Sequence, residues 1–272
     1  MTMFKDVAPD RWSAVDIGKA VRYGLLQGKG NGIFDPAAPL TREQGAALAV
    51  RLYEATNEDF KEIIDAVLPA VVQVENDVTG GLGSGTIIHP DGYVLTNAHV
   101  VVVPQDDGTY KVPNMVGLRS PDKIFENTEY AMGPVVACDV DMDLAIVKIM
   151  LGDATFPYLE IEDKVPSMAT RVAAIGSPLG LIRTITEGIV SQYRELNVKV
   201  PKRVTVIQTD AAINPGNSGG ALVGNMSGKL VGVPSLKLSG VGIEGLGFAI
   251  DIPTVKRFFI EHQVPDVIKN LI

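Results

Sequence analysis

The run Thr209-Asp-Ala-Ala212-Ile213-Asn214-Pro-Gly216-Asn217-Ser218-Gly219-Gly220 is the most chemically specific stretch of the chain. A serine set among glycines suits a nucleophile for acyl transfer. Small neighbours admit a substrate carbonyl, and permissive φ/ψ lets neighbouring N–H groups converge on one oxygen. Alone, the same run could be a glycine-rich turn. A second stretch, Tyr93-Val-Leu-Thr-Asn97-Ala-His99-Val, ends an apolar strand on a histidine, a side chain that exchanges a proton near neutral pH. A third, Asp141-Met-Asp143-Leu-Ala-Ile-Val-Lys148, opens an apolar strand with an acid. Alone, that histidine would be structural and that acid a turn residue. Together they supply what a serine needs: a base to take its proton and an acid to orient the base.

The elements that must position these residues change character along the chain. Residues 4–56 read as helix–loop–helix. Ser13 can cap a first helix, with Trp12 just outside as a staple and Val15, Ile17, Ala20, Val21 and Leu25 forming its apolar side. Gly28 to Pro36 is a loop, since its glycines and prolines cannot continue a helix. Thr41-Arg42-Glu43-Gln44 opens a second helix as a capping box, followed by Ala46, Ala47, Leu48, Val50 and Leu52. A short acidic stretch around Asn57 to Asp65, expected to be helical, joins this unit to the next. Beyond residue 66 short β-type runs alternate with turn residues. They include Val71–Val74, Gly85–Ile88, Tyr93–Leu95, Ala145–Val147, Val172–Ile175, Val204–Ile207 and Lys229–Val233. Their spacing predicts an antiparallel barrel or sandwich, and Pro253 to His262 a closing helix.

Composition narrows the function classes. The 272 residues carry 24 basic and 32 acidic side chains, a net charge of −8, so nucleic acid is not an expected partner. Through residue 57 there are seven basic and six acidic residues, so the negative charge belongs to the remainder of the chain. No apolar run reaches the roughly 18 residues of a membrane span. Cys138 is the only cysteine, which excludes an intrachain disulfide and a cysteine-based metal cluster. The opening Met-Thr-Met-Phe-Lys-Asp6 has no apolar core and does not read as a secretory signal. Asp139, Asp141 and Asp143 alternate like a calcium loop, but Leu144 and Met150 stand where glycine and glutamate are needed. His89 and His262 lack ligand neighbours at metal spacing and are expected in surface or loop roles. No metal or other cofactor is expected.

The order His99, Asp143, Ser218, separated by 44 and 75 residues, is that of the chymotrypsin-type triad. Gly83-Ser-Gly85, Leu95-Thr-Asn-Ala-His99-Val, Asp143 to Lys148, Ile175-Gly-Ser-Pro-Leu-Gly180, Gln208 to Gly220 and Gly245-Leu-Gly-Phe-Ala-Ile250 resemble the HtrA/Deg serine proteases over about residues 60–262. The resemblance implies a mainly β fold, a double six-stranded antiparallel β-barrel of chymotrypsin type with the triad in the cleft. It implies His99 as general base, Asp143 as orienting acid, Ser218 as nucleophile, and an oxyanion hole at Gly216, Asn217 and Ser218. Activity should then fall below about pH 6.5, where imidazole protonates. The specificity pocket would be lined by Ala212, Ile213, Val233, Pro234 and Ser235, and uncharged Ala212 at its base predicts cleavage after small or medium aliphatic residues. Pro234 has no N–H to pair with a substrate backbone. Asn217 replaces the aspartate that captures a new N-terminal amine in pancreatic-type zymogens. Control is expected instead from the loops 177–186 and 235–244. The chain ends soon after the closing helix, so recruitment through the peptide-binding PDZ domains usual in this family is not expected.

Residues 3–55 resemble one S-layer homology motif, carried by Phe4-Lys-Asp-Val, Trp12, Ala20, Gly24, Gly28, Gly32-Ile-Phe34-Asp-Pro36 and Leu40-Thr-Arg42-Glu43. The family implies contact with anionic cell-wall polymer, here through Trp12, Arg42 and Glu43, with a helical packing or oligomerisation module as the alternative. The two resemblances divide the chain into residues 1–56 and 57–272. Together they imply a serine endopeptidase of unfolded or damaged proteins, a homotrimer at the bacterial cell envelope or surface. A cytoplasmic location is the alternative in the absence of a visible signal. A non-catalytic peptide-binding or scaffold protein is the rival function.

Overall fold

The computed structural model describes residues 4–11, 13–22, 25–39, 41–177, 183–196, 203–235, 246–262, 264–269 and 271, without the side chains of 22, 51–59 and 196. The chain divides into two compact units, Met1–Glu62 and Ile63–Ile272.

In the first unit helix α1 covers Ala14–Arg22, and α2 starts at Arg42 and runs on to Val67. The capping box at the start of α2 is formed as expected. The Thr41 N–H donates to Gln44 Oε1 at 3.0 Å, and the Gln44 N–H to Thr41 Oγ1 at 3.1 Å. Ser13 directly precedes α1, but its hydroxyl accepts from the Arg11 guanidinium. The loop before α2 is held by Asp6, whose carboxylate accepts from the N–H groups of Phe34 at 2.9 Å and Asp35 at 2.6 Å. The Phe34 bond above all holds this carboxyl below its ordinary range. Val7 and Ile17 are buried, whereas Val15 is exposed. The acidic stretch 57–65 is helical, as expected, and is the continuation of α2. No glycine or proline interrupts the chain between Ala46 and Leu68, and Pro69 then turns it into a short 3-10 segment.

The second unit is mainly β. Its strands are β1 (Val71–Asn76), β2 (Gly81–His89), β3 (Tyr93–Thr96), β4 (Val103–Pro104), β5 (Tyr110–Lys111), β6 (Val116–Arg119), β7 (Tyr130–Gly133), β8 (Val135–Asp139) and β9 (Leu144–Lys148), then β10 (Arg171–Gly176), β11 (Thr184–Leu196), β12 (Val204–Thr209), β13 (Ala221–Gly224), β14 (Leu230–Pro234) and β15 (Gly247–Asp251). Every β-type run singled out in the sequence falls in one of them, except that Lys229 precedes β14. The first sheet has the order β7-β6-β1-β2-β3-β9-β8, and the second is a closed barrel, β10-β11-β12-β15-β14-β13. The first sheet has seven strands rather than six, and its edges β7 and β8 are separated only by Pro134. Chain continuity thus brings the edges together. The Lys148 N–H at the end of β9 donates to the Pro134 carbonyl at 3.0 Å, and the Met150 N–H just past it to the Met132 carbonyl of β7 at 3.2 Å, so the chain leaving β9 also meets β7. The second barrel is filled by Val172, Ala174, Val190, Ile207, Ala211, Leu222, Val231 and Ala249, with Tyr193 and Ile213 packed against them. Tyr193 donates its hydroxyl to the Pro166 carbonyl, and its pKa is pushed up to about 12, chiefly by burial.

A one-turn helix α3 (Ala98–Val101) follows β3, and helices α4 (Ile252–Glu261) and α5 (Asp266–Lys269) close the unit. Asp251 caps α4, its Oδ1 accepting from the Thr254 N–H at 2.9 Å, and Pro253 occupies the first turn. His262, just past α4, is not a plain surface residue. Its Nε2 lies 2.6 Å from Oδ2 of the buried Asp139 at the end of β8, and its ring packs on Phe258 at 5.0 Å.

Candidate active site

His99 sits in α3, directly after β3, and Asp143 stands at the tight turn between β8 and β9. Because β3 pairs with β9, with Thr96 opposite Ala145, the two residues beyond these strand ends meet. His99 Nδ1 lies 2.9 Å from both Oδ1 and Oδ2 of Asp143. The His99 backbone N–H also donates to Oδ1 at 3.0 Å, and the Ser235 hydroxyl to Oδ2 at 2.7 Å. Asn97 holds the same turn by donating its Nδ2 hydrogen to the Asp143 carbonyl at 2.9 Å. Asp143 is 2% exposed and adopts φ of 55°, a left-handed conformation that short acids tolerate better than most residues. A carboxylate that can only accept fixes the Nδ1 atom of His99 as a donor. The Nε2 lone pair is then left to receive a proton. The site is a carboxylate–imidazole pair in which the acid is dry and the ring, with its side chain 30% exposed, is reachable.

Ser218 comes from the other barrel, in the loop between β12 and β13, and is 4% exposed. Its carbonyl accepts from the Ser84 N–H of β2 at 2.8 Å, which ties the loop to the first sheet. Gly219 follows with φ of 81°, and a Cβ there would strike Thr96 Oγ1 and the Ser84 carbonyl. Only glycine fits at that contact between the barrels. Gly216 also has positive φ, 101°.

Residues 83–233 match the model of the trypsin-like peptidase domain, and residues 4–46 that of the S-layer homology domain. The serine endoprotease DegS of Salmonella typhimurium is 34% identical over 259 residues, covering 87% of this chain and 66% of its own. The serine protease PepD of Mycobacterium tuberculosis is 36% identical over 212 residues, 72% of this chain and 45% of that protein. A crystal structure of the serine endoprotease from Yersinia pestis superposes with a TM-score of 0.57 at 32% identity, covering 74% of this chain and 65% of that one. The chain belongs to the trypsin-like peptidase family. It spans 38–39% of the length of the first curated relatives that it matches.

Within this trypsin-like unit the sequence-predicted residues fall into distinct places. His99 and Asp143 are in direct contact, and Ser218 stands on the loop that meets the first sheet. Asn217 is a correction. Its N–H donates to the Asn214 carbonyl at 2.9 Å and its Nδ2 to that of Ala212 at 3.3 Å, so it stiffens the loop and its amide is not a donor to an oxyanion. The Ser235 hydroxyl is engaged with Asp143 Oδ2, so its side chain also supports the acid. Pro234 sits inside β14 opposite Ala249, where its carbonyl accepts from the Gly219 N–H at 2.9 Å. Its missing N–H falls at the strand end beyond the β13–β14 pairing and costs the sheet nothing. Val233 is fully buried in the barrel, Ile213 packs against the barrel core, and Ala212 is exposed. Arg42 and Glu43 are exposed in the first turn of α2, while Trp12 lies outside the described residues. Residues 178–182 of the loop 177–186 and 236–244 of the loop 235–244 also lie outside them.

Ser84 and Asn97 stand inside recognisable motifs, yet their residue types alone assign neither a role. Asp139, Glu261 and His262 bring ligand atoms within 4.8 Å of one another. Asp139 is nevertheless already committed to His262 and to the N–H groups of Asp141 and Met142, a hydrogen-bonded clasp between α4 and β8.

Proposed function

We propose that the chain is a serine endopeptidase that hydrolyses peptide bonds of unfolded or damaged proteins through Ser218, His99 and Asp143. The observation that carries this reading is the buried Asp143 carboxylate, which receives Nδ1 of His99 on both oxygens and leaves Nε2 as a base. In the reaction His99 Nε2 takes the Ser218 hydroxyl proton as Oγ attacks the scissile carbonyl carbon. The N–H groups of Gly216 and Ser218 stabilise the oxyanion. The C–N bond then breaks, the amine leaves with the proton from His99, and an acyl-enzyme ester on Ser218 remains. Water, deprotonated by the same imidazole, attacks that ester, and its collapse returns the proton to Ser218 and frees a carboxylic acid. Asp143 keeps its charge throughout and stabilises the imidazolium.

The test is digestion of casein or another unfolded protein by the wild type, Ser218→Ala and His99→Ala. Each substitution is expected to lower turnover at least about a thousandfold without changing the melting temperature, because triad members act as a unit. Near-wild-type digestion by either variant overturns the assignment. Digestion by none of the three chains, with peptide binding retained, favours the scaffold reading.

The match of residues 4–46 to the S-layer homology domain supports a place at the cell envelope, with Arg42 as a cation for anionic wall polymer. A guanidinium suits carboxylate ligands because its donor fork bonds bidentately. Ala46, Ala47, Ala49 and Val50 of α2 are at least partly exposed, which supports packing of this module against copies of itself in a homotrimer.

A further inference from the structure

We propose that Ser84 is a positioning residue of the active site, holding the oxyanion-binding loop from the opposite barrel. The proposal rests on the serine-endopeptidase reading. Ser84 lies in β2 of the first sheet, is fully buried, and is separated by 132 residues from the loop that it touches. Each of its polar atoms is engaged at the meeting of the two barrels. The hydroxyl donates to the Gly216 carbonyl at 2.6 Å and accepts from the Ser177 N–H at 2.8 Å. The Ser84 N–H donates to the Ser218 carbonyl at 2.8 Å. The Ser84 carbonyl accepts from Thr96 Oγ1 at 2.6 Å, which fixes the strand segment itself.

The consequence is a set of locked peptide planes. The Gly216–Asn217 peptide is held at its carbonyl by the Ser84 hydroxyl and at its N–H by the Asn214 carbonyl at 2.9 Å. The Ser218–Gly219 peptide is held at its carbonyl by the Ser84 N–H and at its N–H by the Pro234 carbonyl at 2.9 Å. Between and before these planes stand the N–H groups of Ser218 and Gly216, the two donors that the mechanism assigns to the oxyanion. The Gly216 N–H lies in the preceding peptide and the Ser218 N–H in the following one. Turning the Gly216–Asn217 peptide would therefore change the backbone angles at Gly216 and Asn217 that set the two donors relative to each other. One hydroxyl, reaching across the barrel interface, resists that turn. Space at the contact is also limited: a Cβ on Gly176 would lie 2.9 Å from Ser84 Oγ, and one on Gly220 3.2 Å from Ser84 Cβ. A side chain much larger than serine therefore has no room.

The experiment compares wild type, Ser84→Ala and Ser84→Cys as full chains. The readouts are kcat and KM on a fluorogenic peptide, inhibition by a peptide aldehyde, labelling by a fluorophosphonate, and thermal melting. An aldehyde forms a tetrahedral adduct whose oxygen occupies the hole, so its affinity reports the hole directly. Ser84→Ala is expected to lower kcat about a hundredfold, as for loss of an oxyanion donor. KM should stay within about threefold, since the substrate-facing surface is unchanged. Aldehyde affinity should fall in step with kcat, and the pH midpoint should not move, because the His99–Asp143 pair is untouched. Ser84→Cys, a weak donor, should fall between the two. If Ser84→Ala does not fold, Ser84→Cys carries the same readouts. A folded Ser84→Ala with kcat within about threefold of wild type, or one whose aldehyde affinity is unchanged, overturns the role of Ser84. A wild-type chain that takes no label at Ser218 overturns the endopeptidase reading and this one with it.

Discussion

Asp143 is the most constrained residue of the site, with donors from His99 and Ser235 on its carboxylate and from Asn97 on its carbonyl. Its type was legible in the sequence because an acid before an apolar strand, ordered between a histidine and a serine, has few other uses. The role of Ser84 was not legible. A serine between two glycines reads as a flexible link until a fold brings it to a loop 132 residues away. Ser235 shows the same limit: its neighbours Val233 and Pro234 suggest a strand edge, but only the packed barrels reveal that its hydroxyl reaches Asp143. Substrate preference is decided at single residues as well. Ala212 is exposed, offers no charge, and uses its carbonyl to accept from Thr186 and Asn217. Products mapped by mass spectrometry should therefore end mostly in Val, Ala, Ile or Leu. A majority of cuts after Lys or Arg would show that a countercharge stands elsewhere in the pocket.

At the scale of elements the strands were readable because alternating apolar runs bounded by turn residues have period two, and β12 keeps that alternation at Val204 and Val206 with Thr205 between. The extent of α2 was harder to read. The acidic stretch 57–65 reads as helical, but its polar residues do not show that it continues the same helix; nothing between Ala46 and Leu68 stops one. The start of α4 sets burial against hydrogen bonding. Burial pushes the Asp251 pKa above its ordinary 3.8, while bonds from Thr254 pull it back. A raised carboxyl pKa means that the folded chain binds the proton more tightly than the unfolded one. Stability is then lost as pH rises through that window. Asp251→Asn keeps an acceptor for the Thr254 N–H without the buried charge, and should be as stable as wild type or more so near neutral pH. That difference should narrow as the pH falls toward the carboxylate range. Asp251→Ala loses the cap and should cost about 1 kcal/mol. Urea titrations at the two pH values measure both; an Asn variant no better than Ala would assign the cap to the charge itself.

For the whole molecule, assembly is the open physical question. A helical module of about 50 residues buries little apolar surface by itself, so copies of it gain by packing together. A closed threefold contact would meet that need without leaving a surface for open fibres. Light scattering on the purified full-length chain is expected to give three times the 29.0 kDa subunit mass. A stable mass of one subunit would exclude the trimer and leave the peptidase chemistry untouched.

The position of β15 in the second barrel bears on how the protein is made. β15 enters between β12 and β14, so the wall that carries Ser218 stays open until residues 247–251 have been synthesised. His99, Asp143 and Ser218 have all been translated by then, but the loop that carries Ser218 still lacks a closed barrel behind it. A chain cut short before Gly247 would present the unpaired edges of β12 and β14, which invite pairing with other chains. The same chain order that leaves the second barrel open until β15 is made also makes a truncation before Gly247 prone to aggregate.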